Sequence, residues 1–105
     1  MALSGLHVVC GVAGSPAELG GHAIDLPLMS YVLHWSETLA TAGPTTKAVP
    51  VGASRSAFRV RCSVDAYVAV GKTPDAVNGP RFYVPANDDY DVMAPAEAKV
   101  AWVAA

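Results

Sequence analysis

Basic residues are scarce in this sequence, and none occurs before Lys47. Charged residues make up only 15% of the 105 residues, against about 25% in an average soluble domain. With seven basic and nine acidic residues and no basic run, the chain offers little that could neutralise phosphates, so nucleic acid is not expected as a partner. A secretory signal begins with positive charge, so no cleaved signal is expected either.

Long hydrophobic runs and cysteines are also few. The apolar stretch at residues 6–13 contains His7 and Gly11 and is far shorter than the ~20 residues of a spanning helix, so no membrane contact is expected. Cys10 and Cys62 could form one disulfide. Because no export signal is expected and Cys62 lies on the inward side of a strand pattern, we predict that both thiols are reduced.

Hydrophobic residues, in contrast, make up 52% of the chain. The length fits one domain. A small domain has a large surface relative to its core, and few charges are present here to cover it. We therefore expect some apolar side chains to remain exposed, and exposed apolar patches commonly mark contacts with other proteins.

The clearest strand pattern begins at Phe58. Phe58, Val60, Cys62 and Val64 alternate with Arg59, Arg61 and Ser63, as in a strand with one buried face. Further strands are predicted at residues 31–39, 48–51, 67–71, 81–84, 90–93 and 99–103. Short strands separated by turn residues every 8–12 positions or so are typical of sandwiches and barrels. The predicted fold is all-β, a single small antiparallel β-sandwich or jelly-roll-like barrel.

The N-terminal part has a different composition. Five glycines fall within residues 1–21, and an interior glycine costs a helix ~1 kcal/mol relative to alanine. One helical turn starting at Ser15 would stop at Gly20. We predict an extended glycine-rich arm, or short strands, over residues 1–27, ordered by lying on a partner, and a β-sandwich domain over residues 28–105.

Residues for catalysis or metal binding do not form a recognisable motif. His7, His22 and His34 lack metal-ligand spacing. Residues 52–56 begin like a nucleophile elbow but lack its closing glycine. The sequence predicts no enzyme, no catalytic residue, no cofactor and no small-molecule substrate.

An acidic cluster follows the predicted strand at 81–84. It consists of Asn87, Asp88, Asp89 and Asp91. Calcium prefers several oxygen ligands, but the EF-hand spacing and its closing glutamate are missing. A solvated turn is the simpler interpretation, and no metal site is predicted.

Arginines on one strand face are candidates for partner contact. Arg55, Arg59 and Arg61 could recognise an acidic surface with their forked donors, although outward positions of a half-buried strand commonly carry charges. Trp35, Tyr67, Tyr83 and Trp102 are predicted to be core residues rather than interface anchors. With the apolar arm, the predicted contact residues are Leu3, Leu6, His7, Val8, Val9, Arg55, Arg59 and Arg61.

The C-terminal part, from Arg59 to Ala105, resembles small virion proteins of tailed bacteriophages. The segments that carry the resemblance are an Arg-Cys strand with its Asp-x-Tyr hairpin at residues 61–71, the Thr-Pro-Asp-Ala loop at 73–76, the strand and Pro-Ala turn at 81–86, and the apolar strand at 99–103. Pro95-Ala96-Glu97 departs from the Pro-Gly expected before the last strand. Residues 1–58 carry no such resemblance.

The resemblance implies a capsid decoration or cement protein. Such a protein would bind and stabilise the shell of major capsid protein as a homo-oligomer, a dimer or trimer, on the capsid exterior of a virion assembled in the host cytoplasm. One alternative is a head–tail adaptor, tail or fibre component. Another is a carbohydrate- or receptor-binding module, which would need aromatic side chains exposed on a sheet face.

Overall fold

The computed structural model describes residues 3–13, 29–52 and 55–105. Within these ranges the regular structure is eight β-strands, without a helix. The strands are β1 Leu6–Ala13, β2 Met29–Leu39, β3 Gly43–Pro44, β4 Ser56–Cys62, β5 Ala66–Gly71, β6 Phe82–Val84, β7 Asp89–Met93 and β8 Lys99–Ala104. The helical turn considered at Ser15 and the proposed boundary after residue 27 lie outside the described residues.

The strands form two antiparallel sheets of four strands each. The first sheet has the order β2-β1-β4-β7 and the second β3-β8-β5-β6. Every pairing in both sheets is antiparallel. The predicted all-β, antiparallel class is therefore confirmed.

β1 is an inner strand of the first sheet, which differs from the predicted arm. Leu6 lies opposite Leu39 of β2 on one side and opposite Cys62 of β4 on the other. Of the five glycines that suggested an arm, Gly5 lies before the strand and Gly11 lies at a register shift beside β2; the other three are outside the described residues. For residues 6–13 the structure shows the strand alternative and not the extended arm, because both edges of this segment are paired within the domain.

Residues of both sheets share one buried core. Its buried members are Leu6, Val8, Cys10, Val49, Phe58, Val60, Cys62, Ala66, Val68, Val84, Ala98, Val100 and Trp102. Cys10 and Cys62 are both free and buried; an inward position was predicted for Cys62, whereas Cys10 was expected in the arm. Burial raises the pKa of Cys10 to about 11, so this thiol stays protonated and packs as a small apolar side chain.

Two strand boundaries differ from the sequence pattern. The alternation that begins at Phe58 ends at Cys62, and Val64 is exposed in the turn before β5. The strand predicted at residues 48–51 is absent, and β3 forms instead at Gly43–Pro44, between the strands predicted at 31–39 and 48–51. Pro50 cannot donate to a sheet ladder, whereas the short β3 pairs with Trp102 and Ala101 of β8.

Candidate protein-contact surface

The predicted arginine stripe lies on the outer face of the first sheet. The register places Arg59 opposite Asp91 and Arg61 opposite Asp89 of β7. Arg59 donates from Nε and Nη2 to the two oxygens of Asp91, each at 2.8 Å. Arg61 donates from Nη1 to Asp89 at 3.4 Å. These two arginines are neutralised by the adjacent strand, so the structure favours the interpretation of an ordinary charged outer face.

The Arg59–Asp91 pair should contribute only modestly to stability. The hydrogen bond to Asp91 raises the pKa of Arg59, but both side chains are more than one-third accessible, at 39% and 34%. We expect Asp91→Asn to lower the free energy of unfolding by about 0.5–1 kcal/mol, measured by urea denaturation. Asp88→Asn, which removes the same charge from the preceding turn, is the control. A loss above about 2 kcal/mol would contradict a solvent-screened pair.

Most of the remaining predicted contact residues divide between the two faces of β1, with His7 and Val9 opposite Arg61 and Arg59 on the outer face. Leu6 and Val8 have 0% exposure in the core, so their prediction as partner contacts is wrong. Leu3 and Val9 are half-buried. His7 is half-buried too, with Nδ1 2.8 Å from the hydroxyl of Thr38.

Arg55 is half-buried at the entry to β4, where its φ of 56° lies in the left-handed region. Its backbone thus leaves the sheet geometry before the charged stripe begins. The structure thus brings four of the eight predicted residues together on the outer face of the first sheet, namely His7, Val9, Arg59 and Arg61, whereas Leu6 and Val8 are buried in the core.

The acidic cluster shows no arrangement for a metal. Asp89 and Asp91 are engaged by the arginines of β4, and Asn87 forms part of a turn with a positive φ of 62°. Among the described residues, no group of three or more His, Cys, Asp or Glu side chains could hold a metal ion. The same part of the chain contains no helix long and apolar enough to cross a membrane.

An apolar groove lies where β6 and β7 approach each other. Each of these strands is at the edge of its sheet. Phe82 of β6 stacks on Tyr90 of β7, with ring centroids 4.6 Å apart and planes inclined by 22°. Beside this stack is a cavity of about 380 Å³. It is lined by Val70, Pro80, Arg81, Phe82, Val92, Met93 and Pro95. We call it the β6–β7 groove.

Apolar side chains at this groove remain accessible to solvent. Met93 is 60% exposed and Tyr90 is 42% exposed. Arg81 is the single charged residue in the lining. Its guanidinium carbon lies 3.8 Å from the ring centroid of Tyr67, and its Nη1 donates to the carbonyl oxygen of Ala76 at 2.9 Å. The charge is thus engaged by a ring and a carbonyl.

The opposite side of the two sheets, at β2 and β3, is spanned by residues 45–49, and a cavity of about 560 Å³ lies against Ala48 and Val49 of this closing segment. Thr45 donates its N–H to Val100 at 2.7 Å, and Val49 donates to Ala98 at 2.9 Å. Val49 is 1% exposed and belongs to the core. From the first sheet, Trp35 donates from Nε1 to the carbonyl oxygen of Ala48 at 2.9 Å. This closing segment therefore joins one edge of each sheet.

The aromatic residues divide between core and surface. Trp102 is buried, as predicted, and donates to the carbonyl oxygen of Thr41 at 3.1 Å. Trp35 is half-buried and contacts Phe58 at a centroid distance of 5.8 Å. Tyr83 is 47% exposed, so its prediction as a core residue is wrong. It lies opposite Tyr67, and a hydrogen bond to Asp65 raises the pKa of its hydroxyl.

Sequence reasoning missed the β6–β7 groove. Its residues belong to predicted strands at 81–84 and 90–93 and to the proline turns beside them, but no local pattern shows that two edge strands of different sheets meet. The available signal was the pair Phe82 and Tyr90, two aromatics in short strands bounded by Pro80, Pro85 and Pro95.

Comparison with protein-family models, with curated proteins and with solved structures finds no match for this chain.

Proposed function

We propose that this chain is a virion structural protein of a tailed bacteriophage, a capsid decoration or cement protein that binds the shell of major capsid protein. In this proposal the two antiparallel sheets form a β-sandwich, which accounts for their shared core. The partner is a protein surface on the capsid exterior. The protein acts by adding contacts between shell subunits, without chemistry of its own.

The observation that carries the proposal is the β6–β7 groove. Exposed Met93 and Tyr90 adjoin an apolar cavity, while nearby arginines and aspartates neutralise one another. An apolar concavity between paired charges is suited to contact with a protein. Repetition of one modest contact over a symmetric shell would supply avidity.

The alternative of a carbohydrate-binding module draws on Tyr83, which is 47% exposed opposite Tyr67, but two other aromatic side chains are already engaged. Trp35 is half-buried and its indole N–H is used by Ala48. One face of Tyr67 is covered by Arg81. A head–tail adaptor, tail or fibre component would use a similar small fold, and copy number separates it from a cement protein.

Copy number and location in purified particles test the proposal. Particles are isolated from cells that produce the chain, and its copies are counted by quantitative mass spectrometry relative to the major shell protein. We expect a number comparable to that of the shell protein, with labelling over the whole shell. A dozen copies or so at one vertex would favour the adaptor or tail role. Absence from every particle would refute a virion role.

A further inference from the structure

The edges of the two sheets approach each other on two sides of the domain, at β2 and β3 and at β6 and β7, and the gap is spanned differently on each side. At β2 and β3, residues 45–49 form an extended segment that donates backbone hydrogen bonds to residues 98 and 100 and inserts Val49 into the core. At β6 and β7, within the described residues, side chains alone span the gap, through the stack of Phe82 on Tyr90. The cavity beside that stack stays open to Met93.

We propose that the β6–β7 groove is a docking site for an uncharged, extended apolar segment of the shell protein. The segment inserts aliphatic side chains between the sheet edges, as Val49 does on the opposite side. Both strands beside the groove have a second edge that no described strand pairs, and a free strand edge can accept an added strand. This inference rests on the proposed function for the identity of the partner.

The chemistry of the groove selects an uncharged occupant. No carboxylate lines it, and its one cation, Arg81, is held by Tyr67 and Ala76. The nearby Asp91 is bidentate with Arg59. A charged occupant would lose hydration without gaining an unengaged partner in this lining.

The shape of the site favours a foreign segment over a second copy of this chain. A two-fold dimer brings the same patch of each subunit together. Two identical grooves that face each other do not fill one another, because the residues that line the groove supply no protruding segment to either copy. In the proposal, an extended strand from another chain enters the cleft of about 380 Å³ and adds backbone hydrogen bonds at its rim.

The test uses a blocked peptide of about six residues, the length of an average strand, in which valine and threonine alternate. A peptide with glutamate in place of valine is the control ligand. Binding is followed by amide chemical shifts of the full-length protein at millimolar peptide. Met93→Lys places a charge in the groove, and Val77→Lys adds the same charge at a similarly exposed site outside it, 64% against 60%. Unchanged thermal midpoints confirm that both variants fold.

We expect the valine peptide to shift the amides of β6 and β7 in the wild type and in Val77→Lys. Met93→Lys should weaken binding by about tenfold or more, and the glutamate peptide should not bind. Unchanged β6 and β7 amides, or equal binding to Met93→Lys, would overturn the docking site. A concentration-dependent dimer that Met93→Lys dissociates would also overturn it, because the occupant would then be a second copy.

Binding of the wild-type protein to purified capsid shells is measured in parallel. If Met93→Lys binds shells as well as the wild type does, the groove is not the docking site, but the proposed function stands. Peptide binding without shell binding would support the groove as a site for an extended segment and refute the capsid role.

Discussion

Deleting residues 1–13 should abolish folding of the domain. β1 lies between β2 and β4, so its loss separates β2 from the rest of the first sheet. It also removes Leu6, Val8 and Cys10 from the core. Full burial of an aliphatic side chain contributes about 1.5–3 kcal/mol. The loss of three buried side chains together with two strand pairings is therefore comparable to the ~5–15 kcal/mol stability of a whole domain.

The deletion is assessed by amide NMR dispersion and by near-ultraviolet circular dichroism. Deleting residues 1–3 is the control, because it retains Gly5, whose N–H donates to the Ser63 hydroxyl at 3.0 Å. We expect the control to stay folded and the larger deletion to give a collapsed amide spectrum. A dispersed spectrum for residues 14–105 would mean that the domain folds without β1. That result would agree with the prediction that the N-terminal residues form an arm outside the domain.

This result bears on how partner binding can be studied. If β1 is essential to the fold, loss of capsid binding after truncation of the N-terminal part reports unfolding and says nothing about a contact. Single substitutions of exposed residues, such as Met93→Lys, test the contact without disturbing the core, because Met93 is 60% exposed.

The sequence predicted buried positions correctly where the period-two alternation and the side-chain types agree. Phe58, Val60 and Cys62 each have 0% exposure, as their period-two pattern predicts. The same pattern was present in Leu6, Val8 and Cys10, but the density of glycine outweighed it. Glycine near a strand often marks a bulge or a close backbone approach, and that interpretation fits Gly5 and Gly11.

The candidate surface was less predictable because it depends on which strands are neighbours. Arg59 and Asp91 are 32 positions apart in the sequence, and only the pairing of β4 with β7 shows that they neutralise each other. Phe82 and Tyr90 likewise meet across two sheets. Local patterns assign strands and their faces, whereas the order of strands in a sheet depends on long-range packing.

Gly5 is the backbone position most sensitive to a side chain, and Gly5→Ala should lower the free energy of unfolding by about 2–4 kcal/mol. Its φ of 86° lies in the left-handed region, which costs alanine about 1–2 kcal/mol. An added Cβ would also collide with the carbonyl oxygen of Leu39 and lie 2.8 Å from Cα of Ala40. Both are backbone atoms at the end of β2, so relief requires the β1–β2 pairing to shift. The N–H and carbonyl groups of Gly5 also bond to Ser63, which holds the chain in place.

Gly52→Ala separates the conformational cost of a left-handed φ from the cost of the Cβ collision in the stability lost by Gly5→Ala. Gly52 has a similar φ of 82°, but nothing lies within 4 Å of the position that a Cβ would take. Its substitution should therefore cost only the conformational term of about 1–2 kcal/mol. Urea unfolding followed by the fluorescence of Trp35 and Trp102, which pack in or against the core, compares both variants with the wild type. Equal losses at the two glycines would show that the end of β2 accommodates a side chain at residue 5. A larger loss for Gly5→Ala measures how rigidly the inner strand β1 is held at its entry into the sheet.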